Sequence, residues 1–486
     1  MVLFSPLSLV SLALATLSVR AFGITESGDS FILDTSAGLV FTVDSTSGDL
    51  TSIIFNDVET QDSSKHSQIA SGIGASCTHA TGGHDNNYIT VTCTASGIIH
   101  YYVAKYNDPS IHMATYTSAE PSVGELRYIA RLKKSASQTA PLLPTLRVRG
   151  TAIEGSDVFL FIDDQVHGVT GSGIGAYMIV PGTGFEGSSG GPFFRELITR
   201  AGISRNCIFV SRHTSFYDDL DIEGWYSEAE RGRLTGKASG FNTDFSSYIV
   251  IGWSNDDAQY WVRTSTDGSY TSPYMKPGTY TMTLYEFELA IGSQSVSVSA
   301  GSVGSSNIAS TIDASRPRPD VVWQIGDYDG TPRGFLNADM IETVHPSDSR
   351  MNDWVSPYTV GDDIYNFPMA IFKDIGAATV SFTLSSSQGG ARTLEIATTL
   401  AFAGGRPSVT INDWSGDNPA APDQPDSRGV TRGTWRGNNI LYSYAVPDGT
   451  LLTDGSTNTL TINVISGSSG DDYLSPNFVV DMVRLY

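Results

Sequence analysis

Cysteine is nearly missing from this chain, with 3 in 486 residues and none spaced as C-x-x-C, which excludes zinc ribbons, thioredoxin-type redox sites and disulfide-dense small scaffolds. Cations are scarce too. The 29 Lys and Arg face 51 Asp and Glu, for a formal net charge of -22, and a surface of that sign repels polyanions, so neither nucleic acid nor a membrane is an expected partner. There is no Walker loop, no H-E-x-x-H, no N-x-S/T sequon and no sustained helical period, which removes P-loop nucleotide chemistry, zinc-protease chemistry and N-glycosylation. A G-x-S-x-G match at Gly187, Ser189 and Gly191 lies in a Ser/Gly loop with no helical pattern after it, so it is not a nucleophile elbow.

Present instead are short apolar runs punctuated by Gly, Ser-Gly and Asp-Pro, such as "FILDTSAGLVFTVDSTSGDLTSIIF" and "YITVTCTASGIIHYYVAKY". Such runs predict antiparallel sheet and an all-β fold. The length calls for two or three domains. Residues 1–20 carry an apolar core followed by small residues, the plan of a secretory signal peptide and too short to span a bilayer, so a secreted, extracellular protein is expected. Residues 21–236 read as one β-sandwich, 237–315 as an immunoglobulin-like or fibronectin III-like sandwich, and 316–486, after the Pro-containing linker "STIDASRPRPD", as a jelly roll. Cys77 and Cys93 flank the polar stretch "THATGGHDNNYITVT", which reads as a hairpin, so they are the natural disulfide pair and Cys207 is left over.

Two charge clusters invite a chemical reading. "YDDLDIEG" brings Asp218, Asp219, Asp221 and Glu223 together, and on a strand Asp219, Asp221 and Glu223 would share one face. Such carboxylates suit glycoside hydrolysis or calcium, but they also protect sheet edges, which is the better explanation here. Asp327, Asp329 and Asp481 are weak calcium signals, and no metal or cofactor is expected. "GELRYIARLKK" says more. Read as a strand, it places Leu126, Tyr128, Ala130 and Leu132 on one face and Arg127, Ile129, Arg131 and Lys133 on the other. Arg127 and Arg131 would stand about 13 Å apart, able to converge on one carboxylate or touch successive groups of an acidic polymer.

At this level of detail the chain resembles the fungal rhamnogalacturonan lyases of polysaccharide lyase family 4. The matching stretches include "DPSIHMATYTSAEPSVGELRYIARL", "SSGGPFFRE", "TSPYMKPGTYTM", "AFAGGRPSVTIN", "DSRGVTRGTWRG" and "NVISGSSGDDYLSPNF". The resemblance implies a galactose-mutarotase-like β-sandwich, a fibronectin III-like module and a carbohydrate-binding-type jelly roll in one monomeric chain. It also implies β-elimination between rhamnose and galacturonate in the rhamnogalacturonan I backbone of pectin. Arg127 and Arg131 match the substrate-binding arginines of the family, whose catalytic residues are a Lys and a His. Here the chain departs from the pattern. Leu160 runs straight into Phe161 where the family inserts its Lys-bearing segment, and "LITRAGISRNCIFVSRH" replaces a longer segment bearing the His. The catalytic residues are therefore left unassigned, and neither Lys133, Lys134 nor His213 inherits the roles. Cys93 also matches a family cysteine whose partner position is here near Gly48. Two origins stand open, exons mis-joined in a predicted gene or an inactive paralogue. Two functions stand beside them, a lyase or a non-catalytic pectin-binding protein.

Overall fold

The computed structural model describes residues 21–69, 72–117, 128–133, 214–312, 320–341, 344–355, 357–422, 429–433, 435 and 439–486, together with the backbone of the strands Val166–Thr170, Gly175–Ile179 and Gly184–Phe185. These residues are all-β as expected. Their longest helices are six-residue 3₁₀ segments, Thr214–Asp219 and Thr243–Tyr248, and among the described residues no helix is long and apolar enough to cross a membrane.

The chain opens with a five-stranded antiparallel meander, Gly23–Ser27, Ser30–Asp34, Leu39–Asp44, Leu50–Phe55 and Val58–Glu59. A second sheet of four strands, Ser76–Gly82, Tyr88–Ala95, Ile98–Lys105 and Ile111–Thr117, packs against it. Period-two patterning sends Phe31, Leu33, Phe41 and Val43 from the first sheet and Ile89, Val91 and Cys93 from the second into one core, which is why the two sheets close face to face. In the hairpin of the second sheet Cys77 lies directly opposite Cys93, and the two are joined by a disulfide, as the spacing predicts.

Ile98–Lys105 reads "IIHYYVAK" without alternation because both its faces are covered. Tyr102 and Ala104 enter the sandwich core, while Tyr101 and Val103 lie beneath Tyr217 and Ile222. This cover also decides the conformation of the acidic segment, whose carboxylates would share one face only on a strand. Thr214–Asp219 is a 3₁₀ turn, fixed where the Tyr217 hydroxyl donates to the Met113 carbonyl at 3.0 Å. Its apolar anchors at 217 and 222 do not follow a strand's period, so Asp219, Asp221 and Glu223 share no strand face.

A smaller sandwich follows. One sheet orders Gly184–Phe185, Gln259–Arg263, Ile249–Ser254, Gly278–Glu286 and Leu289–Val298, and the other orders Ser269–Thr271, Arg233–Ser239 and Val303–Ser305. Trp253, Tyr260, Tyr280 and Met282 fill it. The strand Arg233–Ser239 crosses position 236 and pairs within this sandwich, antiparallel to Ser269–Thr271 and parallel to Val303–Ser305. The C-terminal sandwich has two five-stranded sheets. Its last strand, Asn477–Leu485, is buried at every position between Trp323–Gly326 and Arg392–Phe402. Two charged groups on that strand are therefore buried, Asp481 and Arg484.

Candidate functional site

The described part of the arginine stretch, residues 128–133, lies at one edge of the N-terminal sandwich and is not a continuous strand. Among these described residues only Tyr128–Ile129 is a strand, paired antiparallel with Gln68–Ile69, and an isolated bridge joins Leu132 to Gln61. Polar side chains take over the ladder's work between those contacts. The Arg131 amide donates to Ser67 Oγ at 2.8 Å, and Ser67 Oγ donates in turn to Gln61 Oε1 at 2.7 Å. Both Ser67 and Gln61 are buried, and Gln61 Nε2 holds the Asp62 and Lys65 carbonyls. A buried amide and hydroxyl so fully satisfied fix the backbone from which Arg131 projects.

The Arg131 guanidinium is anchored on one nitrogen. NH1 donates to the His66 carbonyl at 2.7 Å and to Gln68 Oε1 at 3.2 Å. Its Nε and NH2 groups make no hydrogen bond to a described residue, which leaves a planar donor pair for a carboxylate. Close by, His66 Nδ1 lies 3.8 Å from Asp49 Oδ2. Burial raises the Asp49 carboxyl above its ordinary range, against the pull of His66 and Arg131. Lys133 is anchored beside Glu59, its amide on the Thr60 carbonyl at 2.8 Å. Burial raises the Glu59 carboxyl, but bonds from Ser52, Ile53 and Gln61 and the charge of Lys133 outweigh it and hold the group low.

Tyr128 faces inward from the same strand and stacks on His100, with ring centroids 5.9 Å apart. His100 Nδ1 pairs with Thr115 Oγ1 at 2.8 Å, and burial pulls its imidazole down to about 3, against the Ala114 backbone bond. His100 is consequently neutral at any working pH, and it is core and not a proton carrier. Burial also raises the Tyr102 and Tyr128 phenols, and the Tyr102 hydroxyl donates to the Gly48 carbonyl at 2.8 Å.

Arg127, the second arginine expected at the site, lies outside the described residues, as do Lys134, Cys207, His213, the Gly187–Ser189–Gly191 loop and residues 1–20. Among the described residues no group of three or more His, Cys, Asp or Glu could hold a metal ion. Asp218 instead accepts from Trp225 Nε1 at 2.8 Å. Asp481 receives the Asp329 and Gly330 amides, and burial raises the Asp329 carboxyl to about 7. Sequence reasoning missed Gln61, Ser67, His66, Gln68 and Asp49, because nothing in a local pattern announces that positions some sixty residues upstream will meet Arg131.

An N-terminal β-sandwich followed by two further sandwiches agrees with the domain order that sequence comparison finds. Residues 22–220 match the family described as rhamnogalacturonan lyase B, N-terminal, 230–306 match polysaccharide lyase family 4, domain II, and 321–485 match domain III. Rhamnogalacturonate lyase A of Aspergillus aculeatus is 44% identical, with 99% of each chain covered. The chain belongs to polysaccharide lyase family 4. Two other relatives agree, the probable rhamnogalacturonate lyase A of Aspergillus fumigatus at 44% identity and the rhamnogalacturonate lyase A of Emericella nidulans at 43%, each with 97% of both chains covered. A solved exo-β-1,3-galactanase from Phanerochaete chrysosporium matches at 12% identity with a TM-score of 0.19, too low to carry an argument.

Within this polysaccharide lyase one feature follows from the comparison and one from the structure. The alignment with the Aspergillus aculeatus enzyme runs over 540 positions against 486 residues here, so at least 54 positions of it face gaps in this chain. The environment of Cys93 is also informative. Gly48, at φ +78°, sits so that a Cβ on it would lie 3.3 Å from Cys93 Cβ. The Cys93 sulfur is bonded across the hairpin to Cys77.

Proposed function

We propose that this chain derives from a secreted rhamnogalacturonan lyase that cuts rhamnose–galacturonate bonds of the rhamnogalacturonan I backbone by β-elimination. The observation that carries the reading is its identity of 44% over essentially the full length of a rhamnogalacturonate lyase A. Elimination makes a specific demand that the Arg131 edge meets. The C5 proton of galacturonate becomes acidic enough to leave only when the adjacent carboxylate is neutralised, and a fixed guanidinium does this through charge-assisted, forked hydrogen bonds. Arg131 offers Nε and NH2 for that task from a backbone locked by Ser67 and Gln61, and Arg127, four residues earlier, supplies the second cation. The division at 21–236, 237–315 and 316–486, with its first boundary moved ahead of the strand Arg233–Ser239, the leader at 1–20 and a monomeric state belong to the same proposal.

A second reading concerns this chain as it stands. Proton transfer needs a base at C5 and a donor to the departing oxygen, and the segments that bear the family's Lys and His are missing at Leu160–Phe161 and between Glu196 and His213. The gapped alignment over 540 positions supports that loss. The chain as written then binds the pectic polymer with poor turnover. Incubation with rhamnogalacturonan I, followed by the ultraviolet absorbance of the unsaturated uronate product, tests both readings. Robust turnover overturns the second. If a protein built from the transcript with both segments restored forms no unsaturated product, the first is overturned.

A further inference from the structure

The first strand of the middle sandwich carries a second aromatic and cationic surface that the elimination site does not use. Gly232 and Met275 form an antiparallel bridge, so Arg233 comes opposite Tyr274, and the Arg233 Cζ lies 4.5 Å over the Tyr274 ring. Next to them Lys276 Nζ lies 5.0 Å over the Tyr226 ring, and Arg231 Cζ lies 5.4 Å over Trp225. Three cations therefore meet three aromatic rings on one short ribbon of a protein that is strongly acidic overall.

The arrangement is rigid. A Cβ at Gly232 would come within 2.2 Å of the Ser299 carbonyl oxygen, so only glycine lets the ribbon lie against that strand end. The amide of Gly301 donates to the Arg231 carbonyl, and the amide of Arg233 to the Ser302 carbonyl. Side-chain bonds hold the cations as well, from Arg233 Nε to the Ser272 carbonyl and from Arg231 Nε to the Tyr226 carbonyl, each at 2.9 Å. Nearby acids are tied down too, with Glu230 accepting from Ser227 and Asp218 from Trp225, while Glu228 is exposed.

The two tyrosines lie outside the packed core. Tyr226 and Tyr274 are 38% and 39% exposed and belong to none of the buried clusters. A preset, half-exposed ring costs little entropy to bury and offers both an apolar face and a hydroxyl, the properties of a binding residue. The chemistry complementary to alternating rings and cations is a chain of pyranoses bearing carboxylates, whose C–H faces pack on the rings while the carboxylates meet Arg233 and Lys276.

We infer that the ribbon of Tyr226, Arg233, Tyr274 and Lys276 is a second binding surface for a uronate-bearing polysaccharide, which holds the polymer independently of the arginine edge. The inference rests on the reading of the substrate as an acidic pectic chain. Affinity electrophoresis of the full chain in gels containing rhamnogalacturonan I, or the same polymer with its carboxyls reduced, tests it in an Arg131→Ala background. The Arg131→Ala protein still migrates slowly in the acidic polymer. Adding Tyr226→Ala and Tyr274→Ala weakens its apparent affinity about tenfold, the loss usual for an aromatic anchor, and Arg233→Gln weakens it only for the unreduced polymer. Tyr274→Phe keeps the retardation. Unchanged migration in the double-tyrosine variant overturns the inference, as does complete loss of retardation in Arg131→Ala alone. Full retardation with Arg131→Ala having no effect counts against the arginine edge instead, so the two readings fail separately. Thermal midpoints check folding, and if the double variant is destabilised, Arg233→Gln alone carries the test.

Discussion

Replacing Arg131 with alanine separates recognition from folding at the arginine edge. Its NH1 bonds reach the His66 carbonyl at 2.7 Å and Gln68 Oε1 at 3.2 Å, both on half-buried or exposed residues. Water replaces a donor there cheaply, so the fold should lose no more than about 1 kcal/mol. Binding should lose more. A charge-assisted bond to a galacturonate carboxylate is worth about 1.5–3 kcal/mol, which converts to roughly a 10- to 150-fold rise in Kd. Calorimetric titration with rhamnogalacturonan I oligosaccharides, beside thermal unfolding of the same samples, reads both quantities. Arg131→Lys keeps the charge but not the fork, and should fall between wild type and alanine. Raising salt should narrow the difference, because the pairing is electrostatic and partly exposed. If Arg131→Ala binds within twofold of wild type while its thermal midpoint holds, the edge is not a carboxylate site.

Other consequences lie further from the site. Ser67→Ala removes the hydroxyl between the Arg131 amide and Gln61 and should cost about 1–3 kcal/mol in denaturant unfolding, with the Arg131-dependent affinity falling too. Opening the disulfide by Cys93→Ser frees a loop of sequence separation 16, which should cost about 3 kcal/mol; an unchanged urea midpoint would contradict this. In the C-terminal sandwich the Asp329 carboxyl, raised by burial to about 7 from 3.8, keeps a proton in the folded state that the unfolded chain gives up. Its contribution to stability is full below about pH 4 and is lost as pH rises through about 7, so thermal midpoints in metal-free buffer should fall over that window and Asp329→Asn should flatten the fall. Arg484→Met strands Glu395, which is buried and accepts from Arg484 Nε at 2.7 Å, and should cost about 3–5 kcal/mol, measured by chemical unfolding.

Much of this architecture is legible without coordinates, because alternation is a local property. Leu39, Phe41 and Val43 announce a half-buried strand by their spacing alone, and the polar stretch between Cys77 and Cys93 announces the hairpin that puts the two sulfurs opposite each other. Local spacing misleads where a neighbour from far along the chain supplies the burial. The acidic segment after Tyr217 looked like a strand edge, yet it is a turn because Tyr217 and Ile222 cover the second face of Ile98–Lys105. Likewise the period of "LRYIARL" was sound for Tyr128, which faces the core, but within the described residues 128–133 the ladder extends over only two residues, and the Arg131 amide goes to Ser67 Oγ instead.

The sequence by itself determined the all-β class, the cysteine pair, the family and the cationic character of residues 127–134. These depend on residue type and near-neighbour order, which a linear chain displays in full. Only the tertiary structure decided that Arg131 leans on His66 and Gln68, that His100 is a neutral core residue, and that Arg233 and Lys276 stand over Tyr274 and Tyr226. Each of these is a contact between segments brought together by the closing of a sandwich. Burial and a partner's charge set what an ionisable group does, and both are properties of the neighbours and not of the residue.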